Sequence, residues 1–546
     1  MAKNIIDRLT CVLVQAAFGI LWAFIFIADV VLSALGSAHP RVLHRFDGEL
    51  TGRKSRFQVV RRGLSWLARG AGAYARVPNL KISIGAIASF QTGTVARWLI
   101  AKTIASPVMF KCLAKISERD FHNAALAAPL WIEVQRALGY MILFQGRRDE
   151  ALVRLGDAEL ARNELALKAG YEPDRKVFLP REMSKVLGLL GHMDAYVKYR
   201  TLTKDPRPYL LLASDSEVAN RPFLDYWGDH IELVVDAVRA DKLAVEEAIY
   251  SVGWLAVMPR EHGFDHVHSV IAGIQRQWSA EGRAPLLRLK AEHAELVARQ
   301  KHQWGMSEGD WFVCLHVRSS GFHGQAQQGA EGFRNAPLET YYPLIRSITA
   351  AGGWVVRMGD PSMPPLDLSQ CGDSRQVIDY ALSASKSPEM DIALCASCRL
   401  FVGQSSGLHT VPHAFGRPCC LVNIPLNAGF PWHVEDVFAP KLYFSTRENR
   451  MLTLEEILSS DIVRADNQFL LSAHDVALLP NSADDIVETV SEMLFPDRYS
   501  IQNDDVARAA VQKFATLNAK YGTNISGRLG KYVAMKYAQE FSLANS

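Results

Sequence analysis

The stretch RLFVGQSSGLHTVPHAFGRPCCLVNI (399–424) decides the fold. It opens on a short apolar run, RLFVGQ, and closes on another, PCCLVNI; between them SSGLHTVPHAFG predicts a helix. Short runs that are apolar on both faces are the mark of parallel strands covered by helices on each side. The alternation extends upstream. WFVCLHV (311–317) predicts a strand, the stretch from Leu338 to Ala351 a helix, GWVVRMG (353–359) a strand, QVIDYA (376–381) a short strand and PEMDIALCASC (388–398) a helix. Crossovers of this length imply a right-handed, doubly wound parallel sheet, so the expected class is α/β. Weaker strand signals precede it in KVFLP (176–180), YLLLAS (209–214) and IELVV (231–235), which suggests a second Rossmann-like domain facing the first.

Further out, residues 84–170 are rich in Ala and Leu at three and four spacing and predict helices. Leu138, Gly139, Gly146 and Ala151 fall at the spacing of a tetratricopeptide helix pair, although only one such unit is visible. From Thr10 to Ala28 no residue is charged, and as a helix this run would span about 28 Å, close to a bilayer's hydrocarbon thickness. Between Arg41 and Lys81 ten Lys and Arg face two acids, Asp47 and Glu49, which places the body of the protein on the cytoplasmic side of a membrane. Over all 546 residues, 60 Lys and Arg against 57 Asp and Glu leave a net charge of +3, so the chain as a whole has no nucleic-acid signature. Eight cysteines with no pairing pattern exclude a disulfide scaffold and suit a reducing compartment.

Ligands of doubly wound sheets bind beyond the carboxyl ends of the strands, so the residues there are the candidate site. His316 and Arg318 end the first strand, and a Gly-rich loop, SGFHGQAQQGAEGFRNA (320–336), follows like a lid. Arg357 and Asp360 end the second strand, Asp379 and Tyr380 the third, and Gln404, Ser405, Ser406 and Gly407 follow the fourth. The GQSSG turn at the start of a helix suits a pyrophosphate, and Arg318 with Arg357 would complete an anion clamp. His316, His323, Glu331 and Asp360 are the candidate general bases. No DxD occurs, which fits a metal-free mechanism. His262, Asp265, His266 and His268 are a conceivable metal cluster, with a polar cleft wall the commoner arrangement. Cys395 and Cys398, like Cys419 and Cys420, read as buried thiols.

The blocks CLHVRSSGFHG, FRNAPLETYYPLI, GGWVVRMGDPSMPPL, VIDYA, MDIALCASCRLFVGQSSGL and FGRPCCLVN, with FLDYWGDH (223–230) upstream, resemble a family of bacterial glycosyltransferases associated with cell-surface polysaccharides. More distantly, HVR followed by a small-residue serine motif is similar to the nodulation and protein O-fucosyltransferases. The resemblance implies a GT-B fold in which Arg318 contacts the donor diphosphate and Ser405 and Ser406 its phosphates, with Asn335 in the RNA block also on the nucleotide-sugar side. The expected organisation is a membrane-associated segment (1–40), a basic stretch and helical domain (41–170), an acceptor-side Rossmann-like domain (171–300), a nucleotide-sugar-binding Rossmann-like domain (301–500) and a helical tail (501–546). The expected activity is transfer of a sugar from a nucleotide-sugar to a glycan, lipid-linked or protein acceptor at the cytoplasmic membrane face, with no metal and no other cofactor. Alternatives are a nucleotide-sugar epimerase of the same fold and a non-catalytic, membrane-associated assembly protein.

Overall fold

The computed structural model describes residues 74, 76–78, 84–102, 107–253, 257–260, 263–319, 332–426, 431, 433–465, 467–497, 505–523 and 525–542. The apolar segment 1–40, nearly all of the basic stretch and most of the expected lid, with His323 and Glu331, lie outside them. So does His262, and the side chains of Asp265, His266 and His268 are likewise outside the description. Among the described residues no helix is long and apolar enough to cross a membrane.

Contacts divide the chain into two compact units, one of Met1–Phe178 with Asp236–Phe264 and the other of Leu179–Val235 with Asp265–Ser546. In the first, the helices expected between 84 and 170 form as α1 (Ile84–Lys102), α2 (Pro107–Ala127), α3 (Ile132–Phe144) and α4 (Arg148–Lys168). Phe90 joins the first pair to the second through Trp131, ring centres 4.8 Å apart. Gly139 lets α3 and α4 close on each other: a Cβ there would sit 2.7 Å from Leu155 Cδ2. Arg136 and Glu159, both largely buried, pair at 2.7 Å across the same two helices. One close-packed hairpin of this kind does not make a repeat array.

The second unit is built on a seven-stranded sheet. Before it in the chain, β1 (Tyr209–Leu212) pairs in parallel with β2 (Glu232–Val234). Among described residues 171–300 no sheet exceeds three strands, so the upstream strand signals are real but yield a small sheet. The large sheet comprises β3 (Phe312–His316), β4 (Trp354–Met358), β5 (Val377–Ile378), β6 (Leu400–Gly403), β7 (Cys419–Ile424), β8 (Val437–Pro440) and β9 (Arg528–Leu529). Every ladder in it is parallel, and the order is β9-β8-β7-β6-β3-β4-β5. Strands β3, β6, β7 and β8 are buried along their whole length, which is why they read as unbroken apolar runs.

The chain leaves β3 towards one edge through β4 and β5, then crosses back to β6 and proceeds to the other edge. The order therefore reverses between β3 and β6, and such a switch opens a crevice at the carboxyl ends of those two strands. The helical tail expected after residue 500 is present as Asp505–Lys520 and Lys531–Ser542, and it also supplies β9.

Candidate functional site

At the switch point the two central strand ends are tied together by the side chains that follow them. Gln404, just past β6, accepts the Arg318 backbone N–H through its Oε1 at 2.6 Å and donates to the Tyr341 hydroxyl at 3.1 Å. His316 Nδ1 lies 3.3 Å from Ser406 Oγ. Tyr341 also accepts from Asn423 Nδ2 at 3.0 Å, and Asn423 exchanges backbone and side-chain bonds of 2.6 Å with Asn481. This buried amide network sets the carboxyl edges of β6 and β7 relative to Arg318. Gln404 is fully buried, and both ends of its amide are engaged within this network.

Arg318 extends its Nη1 to Asn335 Oδ1. The carbonyl of Asn335 accepts from the ammonium of Lys441, so Asn335 bridges the two cations. Lys441 lies immediately past β8 and is 3% exposed. Its backbone is held at both ends, with its N–H donating to Ile424 O at 2.9 Å and its carbonyl accepting from the Tyr537 hydroxyl at 2.9 Å. Among the described residues it has no carboxylate partner, its one polar side-chain contact being the Asn335 carbonyl. Burial, with the Arg318 charge adding to it, pushes the Lys441 ammonium down to about 8. Burial, helped by Arg318 and then Arg357, holds His316 down to about 4, with Asp360 opposing them, so His316 is neutral at pH 7.

Several expectations need correction. Arg357 does not stand beside Arg318 as an open second donor: it is 1% exposed, its Nη1 pairs with Asp379 Oδ1 at 2.8 Å and its Nη2 donates to Pro364 O at 2.8 Å. Parallel register aligns Val356 with Ile378, so the residues that follow them, Arg357 on β4 and Asp379 just past β5, meet. Asp379 in turn accepts the Leu366 N–H at 2.9 Å. The pair braces the segment 364–366. Tyr380 is buried in the core, edge-on to the Trp304 ring and bonded to Ser387, so its hydroxyl is engaged within the fold. Asp360 Oδ1 accepts the Ser362 N–H at 2.9 Å in a local turn.

The GQSSG turn differs too. The helix after it is only Thr410–Ala414, followed by Gly416 at φ 66°. His409 Nδ1 folds back on Ser406, in contact with its carbonyl oxygen and 3.3 Å from its backbone N. The expected positive helix end at residue 405 is therefore absent. Gly407 is required for close packing: a Cβ there would lie 2.9 Å from the backbone N of Gly188. Ser405 is 2% exposed, and Ser406 keeps its hydroxyl on His316.

The sequence reading missed Lys441. Its signal was a charged residue inside the apolar run VFAPKLYF (437–444), directly after a strand. For a metal, the described residues bring together His413, Cys419 and Asp436, whose ligand atoms lie within 4.8 Å of one another. Seven cysteines, Cys395, Cys398, Cys419 and Cys420 among them, are buried free thiols.

No protein family matches this sequence, and no curated protein does. Among solved structures, the chain is similar to a glycosyl transferase family 9 protein from Veillonella parvula DSM 2008, at 10% identity over 60% of this chain and 99% of that one, TM-score 0.39. It is similar to E. coli ADP-heptose lps heptosyltransferase II at 13% identity over 49% of this chain and 90% of that one, TM-score 0.32. It is also similar to E. coli heptosyltransferase WaaC with ADP, at 11% identity over 49% and 91%, TM-score 0.28. At such scores these likenesses carry no weight in assigning a function, and the geometry at the switch point is what remains.

Proposed function

We propose that the chain is a glycosyltransferase that moves a sugar from a nucleoside diphosphate-sugar to a glycan, lipid-linked or protein acceptor in cell-surface polysaccharide synthesis. The observation that carries this reading is Lys441, a buried ammonium beside Arg318 with no carboxylate partner among the described residues, at the carboxyl edge of a parallel sheet. A buried cation is costly unless an anion meets it, and a diphosphate crossing the switch point would meet both Lys441 and Arg318. Asn335, held between them, sets their spacing.

In the reaction the bond between the anomeric carbon and the β-phosphate oxygen breaks, its electron pair leaves with the diphosphate, and the acceptor oxygen bonds to that carbon. Arg318 and Lys441 stabilise the charge that builds on the departing diphosphate, the work a divalent cation does in other transferases. The acceptor proton goes to a base, for which His316 and Asp360 are the described candidates. The low affinity of His316 for a proton is partly the effect of the Arg318 charge, so a bound diphosphate raises it. The proposal includes a GT-B arrangement of residues 171–300 and 301–500. It also includes membrane attachment through residues 1–40, with the basic stretch on the cytoplasmic face.

Thermal shift with a panel of nucleotides and nucleotide-sugars tests this reading, since a ligand that binds only the native state raises the melting temperature. At least one nucleoside diphosphate-sugar should stabilise the wild type and lose most of its effect in Lys441→Met. Turnover of the donor without an acceptor would favour the epimerase, and no stabilisation by any nucleotide would favour a non-catalytic assembly protein.

A further inference from the structure

Away from the switch point, four side chains of unusual composition meet at the amino-terminal edge of β7 and β8. His413 comes from the short helix Thr410–Ala414, Cys419 begins β7, and Asp436 precedes β8. All three are at most 4% exposed. His413 Nε2 and Asp436 Oδ2 are 2.7 Å apart, and Asp436 Oδ1 accepts the Cys419 N–H at 3.1 Å. The ring of His433 stacks on that of His413, centres 4.4 Å apart. Its Nε2 is buried and, among the described residues, has no hydrogen-bond partner.

Two features of this cluster are unexplained by packing. Asp436 is a buried carboxylate whose one ion-pair partner among the described residues is a histidine, with no Lys or Arg beside it. An imidazole nitrogen left without a partner in the same place is the second, since buried polar atoms ordinarily find one. A divalent cation answers both. With Asp436 as carboxylate, Cys419 as thiolate and two neutral imidazoles, the charge of the assembly is zero. The mixed N, S and O donors suit zinc. Tetrahedral zinc places its ligand atoms about 3.4–3.7 Å apart, so on binding the 2.7 Å contact of His413 Nε2 with Asp436 Oδ2 opens, the wider separations among the three donors, at most 4.8 Å, close, and His433, which lies outside that group of three, turns in.

We propose that His413, Cys419 and Asp436, with His433 as the fourth donor, form a buried structural zinc site that ties the 410–414 helix to the starts of β7 and β8. This ion takes no part in sugar transfer, and the proposal stands whether or not the chain is a transferase. The full-length chain, stripped with chelator and titrated with Co²⁺ as a spectroscopic substitute, tests it. Expected are uptake of one ion per chain, tetrahedral d–d bands and a thiolate-to-cobalt charge-transfer band, with Zn²⁺ displacing the cobalt and raising the melting temperature. Cys419→Ser should lose the charge-transfer band, and His433→Ala should weaken binding by tenfold or more. A wild type that shows no thiolate band at stoichiometric Co²⁺ overturns the proposal. So does equal zinc uptake by wild type and Cys419→Ser, which would put the ion elsewhere, as on the histidines of 262–268. If Cys419→Ser does not fold, His413→Gln replaces it, and an unaltered cobalt spectrum in that variant is equally fatal.

Discussion

Two buried cations flank the central strand of the large sheet, and they are solved in opposite ways. Arg357, on the β4 side, meets the Asp379 carboxylate at 2.8 Å and a backbone carbonyl, so its charge is met within the fold, while its Nε stays buried with no hydrogen-bond partner among the described residues. Lys441, on the β8 side, meets the Asn335 carbonyl and feels the like charge of Arg318. The first arrangement is what a stable protein does with a buried charge; the second has no carboxylate among the described residues, and the proposal fills that place with the donor diphosphate. On the proposal the difference separates a brace from a binding group, although both residues follow the same rule of lying at the carboxyl end of a parallel strand.

The largest effect should come from breaking the brace. Arg357→Ala leaves Asp379 uncompensated and should destabilise the protein by about 3–5 kcal/mol, read by denaturant unfolding. Asp379→Asn in the same background should recover part of that loss. If Arg357→Ala instead folds with wild-type stability but loses donor binding, the contrast between the two cations collapses.

Arg318→Ala should leave stability near wild type and lower kcat/KM for transfer by about 10²–10³, the loss typical of one preorganised donor to a developing charge. Full activity in this variant sinks the assignment. Lys441 gives a pH signature on two quantities. Because its ammonium titrates at about 8 in the free protein, donor affinity should be flat below pH 8 and fall above it, and Lys441→Arg should flatten the fall. Stability has the opposite sign. Between pH 8 and the ordinary lysine value of 10.5 the unfolded chain binds the proton that the native one has lost, so stability rises with pH there, and Lys441→Met should remove that rise. The smallest effect is on His316: its proton affinity, read by NMR titration, should move up in Arg318→Ala, because one of the charges holding it down is gone.

Much of the fold was legible because β3, β4, β6 and β7 are buried on both faces and so appear as apolar runs bounded by turn residues. What stayed hidden was short or carried a contrary signal. β9 is two residues, Arg528 and Leu529, and β8 ends on Pro440, a residue that argues against a strand when met in sequence. At the site, Arg318, His316 and Ser406 could be found because they follow strands directly. The occupation of Arg357 could not, since it depends on the register that sets β5 beside β4. Gly407 looked like part of a phosphate cradle, yet its lack of a Cβ serves the backbone of Gly188, a partner more than two hundred residues away in the chain. The extent of the 405–416 helix was overestimated, because the described helix there is only Thr410–Ala414 and residues 405–409 form bends and turns instead.

The central claim is that Arg318 and Lys441 together form a diphosphate site. Isothermal titration of the nucleoside diphosphate that gives the largest thermal shift, into wild type, Arg318→Ala, Lys441→Met and Asp360→Asn at pH 7, tests it most directly. Affinity should fall by tenfold or more in each of the first two variants and hold within about threefold in the third, on the 1.4 kcal/mol per decade scale of binding. Wild-type affinity in both Arg318→Ala and Lys441→Met would contradict the account.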